Sequence, residues 1–279
     1  MISPSSFYQK NINEQTSKLA QIKKQDIRFS LFRFALILVS AFFGYQYLKE
    51  YNILWLLAMI AGIVAFTAAL FAHLRLRKLK KRTRALKQVN EDELNYLKGD
   101  LKPFDNAVEF KDSQHLFSND LDLFGPHSLF PHLNRTSTLG GKQLLYSELV
   151  EPKLDKVEAK QEAINELAMK PEWRQQFAAI GKEVEENEQA TKVLKYWLET
   201  DGQSKWLGSK WLLYALALLS SGLLINWMIH PSLQSFNWFT YAFGLNLFLV
   251  FSQFKVIKKE YELLNRVSKT LGMYSELLG

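Results

Sequence analysis

YNILWLLAMIAGIVAFTAALFA, residues 51–72, contains no Asp, Glu, Lys or Arg. Crossing a bilayer as a helix takes roughly 20 consecutive apolar residues, and this run supplies them. Cores of soluble proteins seldom use uncharged runs of this length. Residues 34–48 are likewise uncharged, and residues 29–48 carry only Arg33. Residues 211–254 hold no acidic residue, Lys or Arg. That stretch is too long for one helix, and His230-Pro231-Ser232 divides it into about 211–229 and 236–254. The runs therefore predict four transmembrane helices in two hairpins. Aromatic residues mark the hairpin tips: Tyr45, Tyr47, Tyr51 and Trp55 at one, Trp227 and Trp238 at the other. Amphipathic rings favour the headgroup layer.

The chain has 279 residues, a net charge of +7 and no cysteine. The last point excludes disulfides, thiol catalysis and Cys-type zinc sites, and fits a reducing compartment. The positive charge lies beside the apolar runs. Lys18, Lys23, Lys24, Arg28 and Arg33 precede or open the first; Arg75, Arg77, Lys78, Lys80, Lys81, Arg82, Arg84 and Lys87 follow the second. Lys205 and Lys210 precede the third, and Lys255, Lys258 and Lys259 follow the fourth, while the tips carry only Lys49. The positive-inside rule then places both termini and the middle of the chain in the cytoplasm, under a multi-pass cell (inner) membrane anchor. The run RLRKLKKRTR, residues 75–84, reads as a topology anchor and helix end-stop rather than as a nucleic-acid patch. Contact with anionic lipid comes with that location.

Residues 88–205 are acidic, with 22 Asp and Glu against 14 Lys and Arg, a net of about −8. Such a segment is a poor stand-alone DNA binder, because affinity for DNA rests on neutralising phosphates. A helix is expected to continue the second span inward over 75–98 and to end at Gly99-Asp100 and Pro103. Residues 107–110 and 115–123 read as two short strands of a small β-hairpin. Thr136, Ser137 or Thr138 caps a helix running to about Leu149. A further helix over 154–170 puts Val157, Ala163, Ile164 and Leu167 on one buried face, and Pro171 opens another reaching into 183–198.

Gly140-Gly141-Lys142 resembles a phosphate loop at first sight. A Walker loop is G-x-x-x-x-G-K-[ST]; here Gln143 follows the lysine and Thr136 stands in the first glycine's place. Gly181-Lys182 is followed by Glu183 and fails the same test. The glycines read better as a slim first helical turn against which another element packs closely. His115, His127 and His132 lie near Asp120 and Asp122, but their spacing fits no metal motif and points to solvated or capping roles. On a strand Asp120 and Asp122 would share a face, most simply as an exposed polar one. Asn226, Asn246, Gln46 and Gln253 are among the polar residues of the apolar runs. The absence of an acid or base in mid-span disfavours a transporter or channel. Ala58-x-x-x-Gly62 and Ala217-x-x-x-Ser221 offer small-residue contacts between helices.

One stretch resembles a known family. Asn134-Arg135-Thr136-Ser137-Thr138-Leu139-Gly140-Gly141-Lys142-Gln143-Leu144-Leu145 looks like a segment of the core (lever) domain in the MutS mismatch-repair family. That segment reads Thr-x-Thr-Pro-x-Gly, then two polar residues and two leucines; Leu139 stands where the family has Pro. Asp120-Leu121-Asp122-Leu123-Phe124-Gly125 is similar to the preceding segment of membrane-bearing MutS-like proteins, and Pro152, Val157, Lys160-Gln161, Ala163-Ile164 and Leu167 to the next core helix. The match covers roughly residues 120–167.

The resemblance implies structural roles for Asp120, Asp122, Gly125, Asn134, Arg135, Thr136, Thr138, Gly141, Leu144, Leu145, Pro152 and Gln161. It implies no catalytic, cofactor or metal residue. It also implies a dimeric, ATP-dependent DNA-binding parent whose C-terminal ATPase, with its ATP and Mg²⁺, is not in this chain. No Phe is followed two positions later by Glu, so the family's mismatch-reading wedge is absent.

The expectation is thus a mainly α membrane protein, the N-terminal portion of a longer MutS-like chain. A cytoplasmic segment (1–28) leads into a first hairpin (29–72) and a basic juxtamembrane helix (73–98). A MutS-core-like domain with a small β-hairpin (99–205), a second hairpin (206–254) and a cytoplasmic helix (255–279) follow. The lipid bilayer is the first partner, and a membrane scaffold without a DNA role is the alternative.

Overall fold

The computed structural model describes residues 3–153, 155–183, 210–252 and 254–278. It is mainly α and divides into two units, Met1–Glu186 with Ser275–Gly279, and Asn187–Tyr274.

Helices α1 (Pro4–Glu50) and α2 (Ile53–Leu97) form the frame of the first unit. Pro4 starts α1, and the Ser3 side chain accepts a hydrogen bond from Ser6 N, a favoured N-terminal pairing. The chain reverses at Tyr51, which is left-handed at φ 51°, and at Asn52, whose side chain caps Leu54 N at 2.9 Å. At 1.5 Å per residue the 47-residue α1 is about 70 Å long, over twice a bilayer's apolar thickness. The expected N-terminal segment, first span, second span and juxtamembrane helix are thus two unbroken helices. Gly99, at φ 87°, ends α2 as expected.

The two helices meet along a seam spaced alternately by three and four residues, the rhythm of knobs-into-holes packing. On α1 it includes Ile22, Asp26, Phe29, Arg33, Ser40 and Tyr47; on α2, Trp55, Gly62, Phe66, Ala69, His73, Thr83 and Asn90. The pairs Phe43–Trp55, Ser40–Gly62, Arg33–Phe66, Phe29–His73 and Asn11–Asn90 step away from the turn in even register. Of the two expected small-residue motifs, the first does bring Gly62 into close contact, whereas Ala217 and Ser221 are exposed.

Away from the seam, α1 and α2 present an apolar sleeve, with Leu31, Phe34, Leu54, Val64 and Phe71 all more than 60% exposed. Among the described residues these two helices are long and apolar enough to cross a membrane. The other two expected spans are the helices α7 (Lys210–Ile229) and α8 (Leu233–Ser252) of the second unit. Gln234, Asn237 and Asn246 make α8 the less apolar. Trp227 packs on Phe236 and Phe239 beside the turn at Pro231, and Ser232 caps α8 through Ser235 N at 3.1 Å. Helix α9 (Phe254–Leu278) follows, where a helix over 255–279 is expected.

After α2 in the chain, the first unit continues into a head of α3 (Leu129–Leu133), α4 (Leu139–Val150), α5 (Val157–Ala168) and α6 (Pro171–Glu183). Its core is Ala107, Leu123, Phe124 and Phe130, joined by Phe110, Leu145 and Tyr146. The Phe110–Tyr146 and Phe124–Tyr146 rings lie 4.4 and 5.3 Å apart, contacts of about 0.5–1.5 kcal/mol each beyond area burial.

Three expectations for the head are corrected. The β-hairpin does not form: Val108–Phe110 is a single 3₁₀ turn, and residues 113–122 are turns with a bend at His115. Asp105 accepts from Ala107 N, Asn106 from Val108 N and Asp112 from Gln114 N, at 2.8–3.2 Å. These local bonds occupy the donors that a ladder needs. Asp120 and Asp122 accordingly share no strand face, and Asp122 is left-handed at φ 46°. The expected buried face of α5 is exposed instead, with Val157 at 41%, Ile164 at 66% and Leu167 at 39%. Helix periodicity records an apolar stripe but does not name its cover. The expected continuation of α6 over 184–198 lies outside the described residues.

Candidate functional site

The residues of the family-like stretch converge where α4 begins, against the C-terminal half of α2 and against α6. Asn134 shapes the entry: its Oδ1 accepts from Thr136 N at 3.0 Å and from the Thr136 hydroxyl at 2.7 Å. Thr138 caps α4, accepting from Gly141 N at 3.1 Å. Of the three candidate caps it is therefore the one used.

Arg135 is the hub. Its Nε donates to Glu93 Oε1 at 2.5 Å and a terminal nitrogen donates to Oε2 at 3.2 Å, so one guanidinium spans one carboxylate of α2. Its other terminal nitrogen donates to the Pro131 and Asn134 carbonyls at 3.3 and 2.9 Å. The guanidinium also lies 3.8 Å from the Phe104 ring centroid and 4.8 Å from that of Tyr96. A planar fork of fixed donors suits this combination of pairing and stacking; an ammonium does not. His132 Nδ1 lies 3.2 Å from the Tyr96 hydroxyl at the edge of the same aromatic group.

The glycine expectation moves to another helix. The missing Cβ of Gly140 faces open space, and that of Gly141 would meet only the Thr138 and Thr136 side chains of its own cap. The close approach occurs at Gly181 of α6, where a Cβ would lie 2.7 Å from the Ser137 carbonyl oxygen and 2.9 Å from its Cα. Ser137 Oγ donates back to the Phe177 carbonyl at 3.4 Å. A lone glycine inside a helical pattern was the available signal for this site.

Lys142 is engaged by two carboxylates, Asp105 and Glu109. Burial works against its charge, but these partners outweigh it and hold its pKa above the ordinary lysine value. For Asp105 burial raises the pKa, yet the Lys142 ammonium and the Ala107 N–H bring it below the usual carboxylate range. In this arrangement Lys142 is not turned toward a phosphate.

Helix α6 is tied to the hairpin at several points, among them the Arg82–Glu183 pair. Ala179 packs on Ala85 and Val89, and Lys182 pairs with the buried Asp92 at 2.6 Å. At the junction of α1, α2 and α6, Asn90 Oδ1 accepts from Gln175 Nε2 at 2.7 Å and from Asn11 Nδ2 at 3.1 Å. Two adjoining cavities flank Arg135. One, of about 230 Å³, is lined by Asp92, Glu93, Phe104, Asn134 and Lys182 among others. The other, of about 170 Å³, reaches Phe7, Tyr8, Trp173 and Phe177. Burial, and next the Glu93 carboxylate, raise the Tyr8 pKa.

Of the family-like residues, the structure brings Asn134, Arg135, Thr136 and Thr138 together here, with Leu145 in the adjoining core. Gly125 shapes the turn behind them, left-handed at φ 116°, with its N–H on the Asn106 carbonyl at 2.8 Å. Asp120, Leu144, Pro152 and Gln161 lie exposed and outside the joint. Its other half, Glu93, Tyr96, Phe104, Asp105 and Gly181, carried no motif. His115, His127 and His132 do not converge, and among the described residues no group of three His, Asp or Glu is placed to hold a metal ion. The arrangement offers a rigid polar joint between head and hairpin. No family model, curated protein or solved structure matches the chain.

Proposed function

We propose that this chain is the membrane-anchored lever and connector portion of a MutS-like, ATP-dependent DNA-binding protein. The ATP and Mg²⁺ of that activity are bound outside these residues. On this reading α1, α2, α7 and α8 are four spans in the cell (inner) membrane. Both termini and the head face the cytoplasm, in line with the distribution of Lys and Arg.

The observation that carries the reading is the Arg135 joint. The stretch resembling the family's lever is the one whose arginine grips α2 through Glu93 and whose serine backs onto α6 at Gly181. A displacement imposed on α4 and α5 by a motor therefore reaches the α1–α2 hairpin without passing through a flexible linker. A dimeric parent would present two such levers.

The test is DNA binding by the 279-residue chain in nanodiscs, read by anisotropy of a labelled duplex across a salt series. A steep fall of affinity with salt, as counterion release demands, supports the reading. No binding at about 50 mM salt, where the phosphate term is strong, sinks the DNA role for this portion. That outcome favours a membrane scaffold, for which the acid excess of residues 88–205 is the specific support.

A further inference from the structure

His73 is 2% exposed in the seam between α1 and α2. Its Nε2 accepts from Arg77 Nε at 2.9 Å. This buried anchor fixes the stem of an exposed arginine, which also feels the charge of the Asp26 carboxylate; Asp26 Oδ1 itself stands 3.5 Å from His73 Nε2. Lys81 and Arg84 follow at i+4 and i+7 on the same face of α2, also exposed and without an acidic partner among the described residues. Two carboxylates in this region are paired with other cations: Asp26 accepts from Lys80 at 2.8 Å, and Glu183 pairs with Arg82. Beside Lys81 and Arg84 lies an open groove of about 510 Å³ between α2 and α6, lined also by Gln88, Lys182 and Glu183. On the other side of Arg77 the apolar sleeve begins, with Leu74 48% and Phe71 66% exposed.

We propose that Arg77, Lys81 and Arg84 hold the phosphate of an anionic membrane lipid, with its headgroup in the groove between α2 and α6. An arginine held at Nε presents its two terminal nitrogens as a fork, the geometry that recognises phosphate in two-point fashion. A lipid phosphate is the anion stationed where an apolar sleeve gives way to cations. Nucleic acid fits less well, because the acidic head adjoins the groove. His73 acts as a positioning residue through Arg77. The inference rests on the membrane reading above.

The experiment reconstitutes the full chain into vesicles of phosphatidylcholine and phosphatidylglycerol and counts the lipids retained on the detergent-released protein by native mass spectrometry. Wild type is expected to retain phosphatidylglycerol preferentially. Arg77→Gln/Lys81→Gln/Arg84→Gln is expected to lower that preference about ten-fold or more, and Arg77→Lys, which keeps charge but not the fork, to lower it by less. Lys98→Gln/Lys102→Gln/Lys111→Gln removes the same charge from the head and should leave it unchanged. Equal retention of both lipids by wild type, a preference surviving the triple change, or equal loss in the control would overturn the proposal. Displacement of the lipid by duplex DNA, dependent on the same three residues, would overturn it too. Should the triple variant fail to fold, Arg77→Lys alone decides. Release of the chain from membranes at alkaline pH would instead sink the membrane reading, so the two failures are distinct.

Discussion

Gly62 of α2 faces Ser40 of α1 so closely that a Cβ on the glycine would collide with the serine hydroxyl and come within 3.4 Å of Ser40 Cβ and 3.7 Å of its Cα. Ser40 Oγ meanwhile donates to the Leu36 carbonyl at 2.7 Å. The contact sits in the middle of the apolar sleeve, where helices associate through close packing of small residues. Gly62→Leu should push the helices apart and destabilise the hairpin by about 1–3 kcal/mol. Gly62→Ala should cost less, because only the hydroxyl must turn. Adding Ser40→Ala should restore part of that loss, a coupling that a double-mutant cycle of melting in detergent measures directly. Strict additivity of the two changes would show that the contact carries no energy.

Arg135 should be the most sensitive residue of the head. Arg135→Ala removes the pairing with Glu93, two carbonyl contacts and the stacking on Phe104 together. The side chain is 34% exposed, so solvent screens part of the ionic contribution. The expected loss is about 2–3 kcal/mol. Arg135→Lys should recover less than half of it, because charge returns without the fork. Thermal melts and limited proteolysis at the loop after α3 would report both. A lysine variant as stable as wild type would show that the residue serves only as a charge.

The hairpin was legible in the sequence because both of its causes are local. Uncharged length sets the spans, and Tyr51-Asn52 supplies a left-handed stop followed by an N-cap. The Gly99 stop was legible for the same reason, whereas the cap of α4 was narrowed only to Thr136, Ser137 or Thr138. The β-hairpin misreading arose where alternation over 107–123 met Asp105, Asn106 and Asp112, whose side chains satisfy the backbone two residues on. The joint was half visible. Arg135 stood in a recognisable stretch, but Glu93 lies 42 positions away and is named only by the fold. The exposed cations of α2 were visible as composition, while the His73–Arg77 bond that orients one of them needed the structure.

Stability of the head should depend on pH through Lys142. The folded-state pKa of Asp105 is depressed, so its contribution is fully present above its unfolded value, about 3.9, and is lost as pH falls through the lower folded value. Lys142 is raised, so its contribution is present below about 10.4 and is lost as pH climbs through the higher folded value. The head should therefore melt at a near-constant temperature across the middle range and lower at both extremes. Asp105→Asn should flatten the acid limb and Lys142→Met should weaken both. Asp105 is 48% exposed, so the acid effect will be modest. An acid limb unchanged in Asp105→Asn would remove this carboxylate from the account.

Nucleotide turnover tests the reading of Gly140-Gly141-Lys142 from the other direction. Lys142 is committed to Asp105 and Glu109, and no G-x-x-x-x-G-K-[ST] occurs in the sequence. The purified chain is expected to hydrolyse no ATP. Measurable turnover that disappears in Lys142→Ala would make this turn a phosphate site after all.

The four-span topology has a direct test because the chain contains no cysteine, so single introduced thiols report without background. Asn52, at the turn between α1 and α2, and Ser235, in the first turn of α8, should be labelled by an impermeant maleimide added outside intact cells. Lys10 in α1 and Glu148 in α4 should be labelled only after the membrane is opened. The pattern follows from the Lys and Arg that flank the spans, since such clusters stay on the cytoplasmic side. Protection of Ser235 with labelling of Asn52 would leave the first hairpin spanning and place α7 and α8 elsewhere. Labelling of Glu148 from outside would invert the orientation and separate the head from cytoplasmic DNA and ATP altogether.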